Sequence, residues 1–138
     1  MAREENNVAG ELILIVEDNE KNRKLLRDVL RFKGYQTLES ETAEEGIRVA
    51  QESRPALILM DLQLPGMDGI AALAALRADP RTKEIPVVAV TASAMTHNRP
   101  RILAAGFDGY QTKPINVKEF LQLVREVLDR PRGSGAPS

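Results

Sequence analysis

Five side chains stand out as able to do chemistry together: the Glu17-Asp18 pair, Asp61, Thr91 and Lys113. Carboxylates gathered at one place repel, since two unit charges ~4 Å apart interact by about 4 kcal/mol at an effective dielectric of 20. A hard divalent cation compensates such a cluster. Mg2+ in particular binds through one or two carboxylates while keeping waters and phosphate oxygens. Lys113 adds a compact charge suited to phosphate, and Thr91 adds a hydroxyl. Three carboxylates, one lysine and one Mg2+ are neutral together. Replacing one carboxylate by a dianionic acyl phosphate leaves a single negative charge with the metal and three without it, so phosphorylation at such a site should require Mg2+. A plainer reading makes each carboxylate the N-cap of the helix after its strand. That reading suits Asp18, but it suits Asp61 badly, because Leu62-Gln-Leu-Pro-Gly leads into a loop. For Lys113 taken alone, the plainer reading is a solvated surface lysine.

The elements that would position these residues are legible as patterns. Leu12–Val16, Ala56–Met60 and Ile85–Val90 are apolar throughout, as in strands buried on both faces. Tyr35–Ser40 and Gly109–Thr112 mix in polar residues and fit edge strands. Between them lie amphipathic segments: Leu25, Leu26, Val29 and Leu30; Ala43, Ile47 and Ala50; Ile70, Leu73 and Leu76; Ile102–Ala105; and Val117, Phe120, Leu121, Val124, Val127 and Leu128. Strand then helix, repeated five times, predicts an α/β fold: a flavodoxin-like (βα)5 doubly wound parallel sheet with right-handed crossovers. With the polar strands at the edges the order is 2-1-3-4-5, and its switch point lies between strands one and three. Ligands bind beyond the carboxyl ends of the strands there, where Glu17, Asp18 and Asp61 follow. Thr91 and Lys113 end strands four and five at the same sheet edge.

Composition limits the function classes. The 138 residues make about one domain, and no cysteine is present, which excludes disulfides, thiolate zinc sites and Cys nucleophiles. The net charge of -1 offers no positive field for a nucleic acid. No apolar run approaches the ~20 residues that cross a bilayer, and the first residues are polar, so no signal peptide or membrane insertion is expected and the protein is placed in the cytoplasm. The folded unit is expected over 11–129, with disordered ends at 1–10 and 130–138.

The motifs LILIVEDNE (12–20), LILMDLQLPGMDG (57–69), IPVVAVTASAM (85–95) and GYQTKPI (109–115) resemble, in order and strand context, those of the receiver domain of two-component response regulators. Spacings of 43, 30 and 22 residues between Asp18, Asp61, Thr91 and Lys113 match as well. The resemblance covers about Leu12 to Leu128 and looks closest to stand-alone receivers of the cell-division DivK type. It implies that Asp61 is the phosphoacceptor, attacking a phosphohistidine on a histidine kinase or histidine phosphotransfer protein. It further implies that Asp18 and Asp61 ligate Mg2+ with the backbone carbonyl of Gln63, and that Glu17, where Asp is commoner, acts mainly through a metal-bound water. Lys113 would pair with the phosphoryl group and Thr91 would hydrogen-bond it. Tyr110 would be the aromatic switch residue, and Lys113-Pro114 a cis peptide.

Nothing after Leu128 looks able to fold into an output domain, so the resemblance implies signalling in trans to a downstream protein target, through the fourth helix, fifth strand and fifth helix. A receiver excised from a larger hybrid kinase or regulator is the alternative, and a receiver-like module that is never phosphorylated is another. An aspartyl-phosphate phosphatase is a competing enzyme class. Such enzymes carry a second Asp two residues after the nucleophile, and Gln63 stands there, so catalysis is expected only of the protein's own phosphorylation and dephosphorylation. His97 reads as a solvated loop residue. Pro100, with Asn98 as a possible N-cap, predicts that helix four starts near Arg99, leaving Thr91–Asn98 as a loop.

Overall fold

A computed structural model of the chain describes residues 10–64, 66–92 and 98–130. Five strands alternate with five helices: β1 (Leu12–Val16), α1 (Glu20–Phe32), β2 (Gln36–Ser40), α2 (Ala43–Ser53), β3 (Leu57–Asp61), α3 (Gly69–Ala78), β4 (Val87–Thr91), α4 (Asn98–Ala104), β5 (Gly109–Thr112) and α5 (Val117–Asp129). All pairings are parallel and the sheet order is β2-β1-β3-β4-β5, as the patterning predicts. Parallel neighbours need crossovers, which the helices supply.

The central strands alternate their contacts between two cores. Leu14, Val16, Ile58, Met60, Val87 and Ala89 face α2, α3 and α4, packing with Ala50, Leu73, Leu76 and Ile102. Ile13, Ile15, Leu57, Leu59, Val88 and Val90 face α1 and α5, packing with Leu26, Leu30, Phe120, Val124 and Val127. Burial on both faces is why β1, β3 and β4 read as continuous apolar runs.

The strand limits shift slightly from the sequence reading. β3 runs one residue later and ends on Asp61 itself. β4 begins at Val87, because Pro86 has no N–H to donate to a ladder. The helical apolar faces are narrower than the spacing suggests: Leu25, Ile70 and Val117 are exposed while their neighbours on the same helices are buried. α4 holds Pro100 in its first turn, where a missing N–H costs nothing. α4 starts at Asn98, so Asn98 is helical rather than the residue ahead of the helix, and Thr91 belongs to β4; the rest of the expected loop falls, over 93–97, outside the described residues. So does His97, and so do the chain ends expected to be disordered, apart from Gly10 and Arg130.

Candidate functional site

Glu17 emerges directly from β1, is 1% exposed, and donates its N–H to the Ser40 carbonyl at 3.0 Å, continuing the ladder with β2. Its Oε2 turns back to accept from the Asn19 N–H at 3.1 Å. That bend brings Asn19, rather than Asp18, to the start of α1, where its Oδ1 accepts from the Asn22 N–H at 3.0 Å. The capping alternative for Asp18 is therefore corrected. Asn19 already meets the orphan donor, and Asp18 is left exposed at the sheet edge with its carboxylate uncommitted to the helix. Asn19 followed by the first-turn acid Glu20 was the available cap signal.

Asp61 closes β3 beside Val90 and is 3% exposed. Its Oδ1 accepts from the Gln63 N–H at 2.8 Å, and its Oδ2 accepts from Lys113 Nζ at 3.3 Å. Lys113 is delivered by the end of β5, where its N–H donates to the Thr91 carbonyl at 2.8 Å. The Lys113-Pro114 peptide that follows is cis, as the resemblance implies. Lys113 Nζ also lies 2.9 Å from Glu17 Oε1. That approach is an ion pair without hydrogen-bond alignment, so Oε1 is buried with no hydrogen bond. Thr91 ends β4 and is buried. Tyr110, in β5, pairs in register with Ala89 and packs half-buried against the core under α2, α3 and α4.

Burial pushes the Glu17 carboxyl above its ordinary range; Lys113 opposes this and the neighbouring Asp61 adds to it. Burial would lower the Lys113 ammonium, but the contact with Glu17 and the charge of Asp61 outweigh it and hold the lysine above its ordinary value. Two acids share one lysine, and Asp18 adds a third carboxylate. Oxygens of Glu17, Asp18 and Asp61 all lie within 4.8 Å of one another. Three carboxylates this close, with a single lysine among them, make an all-oxygen donor set that fits a hard divalent cation.

Two side chains in this neighbourhood escaped the sequence reading. Gln63 Oε1 accepts from the Ala92 N–H at 3.1 Å, joining the loop after β3 to the end of β4. Arg23, on α1, donates from its guanidinium to the Glu17 carbonyl at 3.0 Å. Neither carries a signal in sequence, because both contacts depend on the crossing of loops and helices that no local pattern encodes.

Residues 13–125 match the family described as the response regulator receiver domain. The chain is 42% identical over 116 residues to the polar-differentiation response regulator DivK of Brucella anthropi, covering 84% of this chain and 94% of that protein. The receiver domain of a sensor histidine kinase from Pseudomonas aeruginosa, solved with a magnesium ion coordinated in its active-site cleft, is 32% identical with a TM-score of 0.81, covering 88% of this chain and 99% of that one. A CheY-like response regulator receiver domain protein from Methanospirillum hungatei is also 32% identical, with a TM-score of 0.77 over 87% of this chain and 94% of that one. Strand order, the acidic cluster at the switch point and the lysine facing it agree with these likenesses, and the chain belongs to the response regulator receiver domain family, whose members are signalling proteins.

Proposed function

We propose that this chain takes a phosphoryl group from a phosphohistidine onto Asp61 and signals through the conformational change that follows. The observation carrying this is the setting of Asp61: buried at a strand end, with one oxygen held by the Gln63 N–H, the other by Lys113, and two further carboxylates beside it. A carboxylate oxygen of Asp61 forms the new O–P bond, the N–P bond to the donor imidazole breaks, and the imidazole leaves with the electron pair. The metal would be Mg2+, held by Asp18, Asp61 and the Gln63 backbone carbonyl, with Glu17 behind them, and it supplies charge neutralisation for the transferred group. Lys113 pairs with a phosphoryl oxygen, and Thr91 donates its hydroxyl to another. In doing so Thr91 shifts the end of β4 and lets Tyr110 move against its core. The phosphoryl donor would be a histidine kinase or a histidine phosphotransfer protein.

Output in trans, from a receiver acting alone, is favoured by the DivK relative, of which this chain covers 94%. Among the described residues no helix is long and apolar enough to cross a membrane. The likeness to a receiver belonging to a sensor histidine kinase keeps the second reading, a module of a larger hybrid protein. The test is incubation with acetyl phosphate and Mg2+. One hydroxylamine-labile phosphoryl group per chain is expected, lost with chelator and lost in Asp61→Asn. Undiminished incorporation in Asp61→Asn would overturn the assignment.

A further inference from the structure

The loop that carries Glu17 and Asp18 is not held by its own residues alone. Arg23 reaches back from the first turns of α1 and donates from Nη1 to the Glu17 carbonyl at 3.0 Å, while Nη1 also lies 3.5 Å from the Asp18 carbonyl. Its Nε donates to Glu39 Oε1 on β2 at 3.1 Å, and its Nη2 stands 3.6 Å from Glu41 Oε2. Glu39 is in turn bound by Arg27, whose Nη1 donates to Oε2 at 3.0 Å. The side chain of Arg23 is only 14% exposed, so this is a packed clamp rather than a solvated surface pair.

We propose that Arg23 is a positioning residue for the metal ligands: by fixing the carbonyls of Glu17 and Asp18 against β2, it sets the directions in which the two carboxylates leave the backbone. The orientation of a carbonyl fixes its peptide plane. The two planes flanking Asp18 together fix its Cα–Cβ direction, and the plane after Glu17 does much the same there. Only a planar fork can bond two carbonyls of one loop and a carboxylate on a neighbouring strand from a single side chain. A magnesium site needs close to ideal geometry, and changing a residue that orients metal ligands typically costs about 10–100-fold in affinity.

This inference rests on the Mg2+ site proposed above, and the sign of the effect separates position from charge. Removing a cation near a cation site should tighten metal binding if charge alone mattered. If Arg23 positions the loop, removing it should weaken binding despite the lost repulsion. The probe is Mn2+ titrated into the full chain and followed by its paramagnetic resonance, with Mg2+ measured by displacement. Arg23→Ala is expected to lower affinity about tenfold. Arg23→Lys keeps the charge and, should the alanine variant fail to fold, carries the test. It too is expected to bind several-fold more weakly, with circular dichroism unchanged. Affinity equal to or tighter than the parent's in folded Arg23→Ala or Arg23→Lys would overturn the role of Arg23 alone. Asp18→Asn is the control: if the parent binds no better than Asp18→Asn, the metal site itself is wrong, and the role of Arg23 falls with it.

Discussion

Glu17 is the residue on which burial and charge compete most directly. Its carboxyl is held above the ordinary range because burial outweighs the Lys113 contact. A carboxyl whose folded-state pKa is raised favours the fold while protonated, and that contribution is lost as pH rises through the folded value. Glu17→Gln, uncharged at every pH, should match the parent at acidic pH and exceed it at neutral pH in metal-free buffer. The gain should be on the order of 1 kcal/mol, within the ordinary range of single substitutions. Urea unfolding at the two pH values measures this; a variant less stable at neutral pH would mean that the ion pair with Lys113 dominates. Mg2+ should erase the advantage, since the ionised acid then faces a cation. Thr91 permits a different separation. Thr91→Ala should still be phosphorylated at Asp61, but its Tyr110 ring resonance should stay where it is in the unphosphorylated protein. A parent-like shift of that resonance would remove Thr91 from the switch.

Elements bring these residues together by packing that leaves little slack. Gly69 opens α3 directly against the strand end that carries Asp61. A Cβ there would strike the Leu62 side chain and would lie 3.1 Å from Leu62 Cα and 3.5 Å from the Asp61 carbonyl. The side chain can turn away, but the backbone cannot, so Gly69→Ala should cost about 1–3 kcal/mol by overpacking and slow phosphorylation by acetyl phosphate as well. A stable, fully active variant would show that α3 can retreat without moving Asp61. Strand identity, edge strands and the switch point were legible because a two-sided strand leaves an unbroken apolar run and an edge strand does not. The four strand ends therefore placed Glu17, Asp18, Asp61, Thr91 and Lys113 at one edge correctly. What could not be read was how those residues pair. Asn19 took the cap because Glu17 bends back to its N–H, and Lys113 came closer to Glu17 than to Asp61, 2.9 Å against 3.3 Å. Each outcome depends on side-chain direction across separate elements. Leu25, Ile70 and Val117 share the helical spacing of the buried faces yet are exposed, because spacing of three or four admits residues at the rim of the stripe.

At the scale of the whole molecule, the sheet is a platform with a core on each face and its chemistry on one rim. The α1–α5 core holds β1 and β3 from one side and the α2–α3–α4 core holds them from the other. Glu17 and Asp61, at the ends of these two central strands, are thereby held rigidly relative to each other. Lys113 arrives from the outer strand β5, and Tyr110 packs between that strand and the second core. A change at the rim can therefore reach the face formed by α4, β5 and α5 through two strands, which is how a phosphoryl group on one side chain would shift the population of a surface. All of this depends on Asp61 being the group that carries the phosphoryl. Borohydride reduces an aspartyl phosphate to homoserine and leaves an unmodified carboxylate alone. Treating the chain with acetyl phosphate and Mg2+, reducing it, and sequencing its peptides by mass spectrometry should place homoserine at position 61 and nowhere else. Homoserine at 18, 5-hydroxynorvaline (the reduction product of a glutamyl phosphate) at 17, or no homoserine at 61 in a chain that has taken up phosphate, would contradict the assignment.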